Sequence, residues 1–117
     1  MLQKDFILKQ INDFFETISK IMLNIETNRL DEAEATLKQH LNETLIEEFT
    51  KGKVSVNFNV IKFQVQLLFL KYKIDKQKNI HNKELKQQCI NLLSHAINLH
   101  SNEYDMQLNE MLNMLKD

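Results

Sequence analysis

Apolar residues recur along this chain at alternating steps of three and four, the period of a helix with one buried face. Ile7, Ile11, Phe14, Ile18, Ile21 and Ile25 trace the first such stripe, widened by Phe15 and Met22. It predicts a helix from about Phe6 to Thr27, with Asp5 placed to cap its start. After the short connection Thr27-Asn28-Arg29, a second helix is predicted with Asp31 as N-cap and Glu34 three residues on, the spacing of a capping box. Its buried face is read as Ala33, Leu37, Leu41 and Leu45. So short a connection implies an antiparallel αα-hairpin.

A third helix, from about Asn57 to Lys76, carries two apolar seams. Phe58, Ile61, Val65, Leu68 and Tyr72 form one, and Val60, Phe63, Leu67, Leu70 and Ile74 the other. Lys62, Gln66, Lys73 and Gln64, Lys71, Asp75 separate them, so the seams lie on different sides of the helix. A helix apolar on two sides is sandwiched, either inside its own fold or between its core and a partner. The second seam, with Lys71 and Lys73, is therefore the candidate partner-binding surface. A fourth helix is predicted over Asn82 to Leu99, with Leu85, Cys89, Leu92, Ala96 and Leu99 inward. In a fifth, Ser101 caps a stripe of Tyr104, Leu108, Met111 and Leu115.

One stretch breaks the helical period. Val54, Val56, Phe58 and Val60 alternate with polar residues after Lys51-Gly52-Lys53. Two readings fit: a loop that packs Val54 and Val56 on the helices, or a short strand that pairs with a second copy. The rest of the pattern predicts an all-α domain spanning residues 1–117, with about five antiparallel helices in a bundle or short superhelix.

Composition agrees with that class. There is no proline and a single glycine, Gly52, so the tight turns of a β-sandwich are out of reach. A lone cysteine, Cys89, excludes an internal disulfide and fits a reducing, cytoplasmic setting. The N-terminus lacks a continuous apolar region, so no secretory signal is predicted. The longest apolar run, Leu67 to Leu70, is far short of the ~20 residues that span a bilayer. Abundant Lys, Asn, Ile and Gln suggest an AT-rich bacterial genome.

Charge changes the picture more. Residues 1–50 hold ten acids and five bases, a net of −5; residues 51–88 hold nine lysines and two acids, a net of +7; residues 89–117 have a net of −3. Lys62, Lys71, Lys73, Lys76 and Lys78 interleave with Phe63, Phe69 and Tyr72, a pattern also found on nucleic-acid surfaces. Against that reading, the aromatics fall on the helical seams, and Arg29 is the only arginine. A nucleic-acid-associated regulator using segment 51–86 is the alternative function. The simpler account is that acidic and basic segments complement each other, within one chain or between two copies.

Nothing in the pattern predicts catalysis, a cofactor or a metal. His40, His81, His95 and His100 contain no i, i+4 pair. Cys89 lies on an apolar stripe, where a free cysteine acts as a small hydrophobe. The acids at Asp31, Glu32 and Glu34 begin a helix, where acids belong on dipole grounds.

Asn28 to Leu37 resembles the turn and second helix of a tetratricopeptide repeat, with small Ala33 and larger Leu37 four residues later. Cys89, Leu93, Ala96 and Ser101 fall at comparable offsets, where the repeat prefers small, large, small and proline; here Ser101 replaces the proline. The opening stretch Met1 to Ile11 and the hairpins that follow resemble a family of short bacterial helical proteins of unknown function. The resemblance implies a repeat-like helical fold and leaves activity open. The expectation is a non-enzymatic protein-interaction module that self-associates as a homodimer.

Overall fold

The computed structural model of the chain describes residues 2–52, 58–99 and 105–116. Among the described residues there are six α-helices and no strand: α1 (Leu2–Glu26), α2 (Leu30–His40), α3 (Glu43–Thr50), α4 (Phe58–Gln77), α5 (Lys83–Leu99) and α6 (Met106–Lys116). The all-α prediction holds. The alternating stretch Val54 to Asn57 lies outside the described residues; Phe58 opens α4.

The count exceeds five because the predicted second helix is two. Ala33, Leu37, Leu41 and Leu45 keep a four-residue spacing, but the helix stops at His40 and restarts at Glu43. Asn42 makes the break. It is extended (φ −116°, ψ 92°), and its Oδ1 accepts the Leu45 N–H at 3.0 Å, as an N-cap does. Its own N–H donates to Oε1 of buried Gln64 at 2.8 Å, fixing the start of α3 on α4.

The turns also explain how a chain with one glycine reverses direction. Asn28 (φ 61°) and Asn79 (φ 63°) adopt the left-handed conformation. At α1, the Asn28 N–H bonds the Ile25 carbonyl at 3.1 Å and the Arg29 N–H reaches Asn24 at 2.7 Å. At α4, Asn79 bonds Lys76 at 3.1 Å and Ile80 reaches Asp75 at 2.8 Å. Both are Schellman closures with asparagine where glycine is usual. Gly52 (φ 72°) ends α3 with its N–H on the Phe49 carbonyl at 3.0 Å.

The chain divides into two compact units, residues 1–40 and 41–117. The first is the α1/α2 hairpin. From Leu8 onward its buried apolar residues are Ile21, Ile25, Ala33 and Leu37. Helix α2 begins two residues earlier than predicted, with Arg29 in the cap position and its carbonyl accepting from Ala33 at 3.0 Å. Asp31 and Glu32 therefore sit in the first turn, and Glu34 pairs with Lys38 at 3.2 Å. Asp5 lies inside α1 rather than at its cap.

The second unit packs α3 on α4, α4 on α5 and α5 on α6. Its core joins Ile46 and Phe49 of α3, Ile61, Val65, Leu68 and Phe69 of α4, Leu85, Cys89, Leu92, Leu93 and Ala96 of α5, and Leu108 and Leu115 of α6. Phe58 and Tyr72 pack against it, so the first predicted seam of this helix faces this core.

Helix α6 starts with a cap that sequence reading placed elsewhere. Ser101 and Tyr104 lie outside the described residues, and Asp105 is the N-cap: its Oδ1 accepts the Leu108 N–H at 3.1 Å. Its Oδ2 meets Lys62 Nζ at 2.8 Å, joining α6 to α4. Partial burial disfavours the carboxylate, but the Lys62 ammonium and the Leu108 and Gln107 N–H groups outweigh it and hold its pKa below the ordinary carboxylate value. The unfolded chain therefore takes up the proton first on acidification. The stabilisation is present above the ordinary carboxylate value and is lost as pH falls through the depressed folded value. Asp105→Ala is expected to cost about 1–2 kcal/mol in urea unfolding at neutral pH, the scale of a lost N-cap. Asp105→Asn keeps the cap acceptor and should cost less, and both variants should flatten the acid limb of the stability profile.

Candidate functional site

Helix α4 positions the residues singled out above. Phe63, Leu67, Leu70 and Ile74 are buried within the single chain, and Val60 is half-buried. This seam offers no exposed stripe. Lys71 and Lys73 are partly exposed. Lys71 Nζ lies 3.8 Å from Glu43 of α3, and Lys73 sits over the Phe69 ring at 5.7 Å, within cation–π range.

Other lysines of the basic segment are likewise engaged by their own chain. Lys51 bonds Glu47 at 3.0 Å and Lys62 bonds Asp105. Glu43 and Glu47 belong to the acidic first fifty residues, so part of the charge complementarity is met inside the second unit. Phe69 is a core residue and Tyr72 is packed beside that core; neither stands out as a stacking platform for a base.

A groove of about 640 Å³ runs between α3 and α5 over Leu68 and Lys71. Glu43, Glu47, Glu84, Gln87 and Asn91 line its walls. Lys51–Glu47 and Gln87–Asn91 (3.0 Å) satisfy each other across single helix turns. The groove holds no histidine. His95 instead stacks edge-on against Phe49 at 4.9 Å, and His40 is the last residue of α2.

Among the described residues no cluster of three or more His, Cys, Asp or Glu is placed to hold a metal. No buried side-chain polar atom there lacks a partner. No described helix is long and apolar enough to cross a membrane. Burial pushes the Cys89 thiol up to about 12, a rise that the Lys71 charge only partly offsets. Its Sγ donates weakly to the Leu68 carbonyl at 3.6 Å. A thiol so protonated is a poor nucleophile.

The surface that does stand uncovered is on α1. Leu8 (52% exposed), Ile11 (37%), Phe15 (69%) and Met22 (42%) are all open, and half-buried Ile18 completes the row. Their spacing is 3, 4, 3, 4. The sequence put Ile11, Phe15 and Met22 in a single broad inward stripe. Among the α1 residues from Leu8 onward, only Ile21, Asn24 and Ile25 are buried. For Leu8, Ile11 and Phe15 the reason lies in length: α1 has 25 residues and α2 only 11, about 38 Å against about 16 Å. Antiparallel to α1 after a three-residue turn, α2 reaches back to about Glu16 and leaves the first half of α1 without a hairpin partner.

Compared with family models, with curated proteins and with solved structures, the chain matches none.

Proposed function

We propose that the chain is a non-enzymatic protein-interaction module: a short, repeat-like series of antiparallel helices that associates with a second copy of itself in the bacterial cytoplasm. The observation that carries this reading is the uncovered apolar row of α1. Contiguous exposed apolar surface is what soluble chains keep for partners. The repeat-like part is supported by the burial of small Ala33 beside larger Leu37, and of Cys89, Leu93 and Ala96 in the small, large, small order noted above.

Sedimentation of the full chain from about 1 to about 300 µM tests the reading. The expected result is reversible, concentration-dependent association. A strict monomer across that range would remove self-association from the proposal.

A further inference from the structure

The three faces of α1 differ sharply in chemistry. Between residues 8 and 25 the charged residues are Lys9, Asp13, Glu16 and Lys20. At 100° per residue they form one row, on the side away from the open apolar row. Ile21 and Ile25 mark the buried side. Beside the open row lie Asn12 and Ser19, both exposed and uncharged.

We infer that this row is a homodimer seam, in which α1 pairs antiparallel with α1 of a second copy; the inference rests on the self-association proposed above. Written as a heptad, Leu8, Phe15 and Met22 take a positions, and Ile11 and Ile18 take d positions. Antiparallel pairing about a two-fold axis then layers Phe15 on Ile18 of the second copy and Ile11 on Met22 of the second copy. Asn12 falls beside Ser19 of the second copy.

Charge and area favour a second copy as the occupant. An isologous contact sets the same surface against itself, so any charge in the seam would risk meeting its own sign. The α1 seam and its free flank carry none. The charged row behind it, with two lysines and two acids, is neutral as a set. The open row presents ~400 Å² of apolar surface, so two copies with their flanks approach the ~1,000 Å² of the smallest specific interfaces. The dimer is accordingly weak, with a dissociation constant in the micromolar range.

Phe15→Glu and, separately, Met22→Glu test the seam by sedimentation equilibrium of the full chain. Both positions are exposed, so the thermal unfolding midpoint at low concentration should stay put. Dimerisation should weaken roughly a hundredfold for Phe15→Glu, because the change enters both sides of the interface. Mixing Asn12→Cys chains with Ser19→Cys chains under mild oxidation should give a cross-linked dimer that neither variant forms alone. A dimer indifferent to both glutamates would overturn the α1 seam and leave self-association standing. Cross-linking of Asn12→Cys chains to each other as readily as to Ser19→Cys chains would overturn the register inferred here. A wild-type chain that stays monomeric to about 300 µM would sink the inference together with self-association, and leave the row to a different protein.

Discussion

Replacing Leu93 with alanine is expected to lower the stability of the second unit by about 3 kcal/mol, the middle of the range for a leucine truncated in a closed core. Leu93 has no exposed surface, and it belongs to a cluster fed by all four helices of that unit. The truncation removes apolar contact and leaves a cavity that four packed helices cannot easily close. Against a total of roughly 6–17 kcal/mol for a chain this long, the loss is large. It should appear as a lower urea midpoint with an unchanged slope. Leu93→Met, nearly equal in volume, should cost less than about 1.5 kcal/mol. Equal losses for both substitutions would show that the site does not depend on filled volume.

The second large effect runs in the opposite direction of size. Ala33→Leu is expected to destabilise the first unit by about 1–3 kcal/mol, because Ala33 is fully buried and three more carbons must displace packed neighbours. Helix α2 has only 11 residues, too few to persist on its own propensity, so it depends on packing against its neighbours. Pushing it away from the site at Ala33 removes that support. Ala35, two residues along the same helix, is exposed. Ala35→Leu should therefore change stability by less than about 0.5 kcal/mol. Thermal unfolding followed by circular dichroism separates the two variants. If Ala33→Leu unfolds like the parent, the hairpin is looser than its burial implies.

Both sites are legible in the sequence. Leu93 and Ala33 fell at the large and small positions of the repeat-like pattern, and Cys89, Leu92 and Ala96 lay on the predicted stripe of the helix that holds Leu93. Helical periodicity reports burial well because a core selects apolar side chains at every turn. It reports termination poorly. Leu37, Leu41 and Leu45 run through the α2–α3 break without a missed beat, since Leu41 and Leu45 pack on the second unit's core while Leu37 belongs to the first. The signal that marks the break is the polar side chain of Asn42, and asparagine is common in this chain. Asn28 and Asn79 were missed for the same reason: their left-handed backbone is decided by closing hydrogen bonds, which composition does not record.

The openness of the α1 row is hidden in the sequence for a different reason. An apolar stripe broad enough for two neighbours reads the same whether both are present or only one. Sequence spacing put the candidate interface on α4, where two seams were visible; those residues are largely buried, and the open surface is on α1. A short α2 after a long α1 leaves apolar surface without a hairpin partner, and that mismatch is visible only once both boundaries are fixed.

Cys89 gives the second unit a built-in clock. It is the chain's only thiol, it is buried, and its proton is held up to about 12. An aromatic disulfide reagent at mildly alkaline pH can reach it only when α5 parts from α4. The labelling rate, divided by that of an unfolded peptide thiol, then reads the fraction of time the core stands open. No fluorophore or isotope needs to be added, and the reading comes from the centre of the unit rather than its fraying ends.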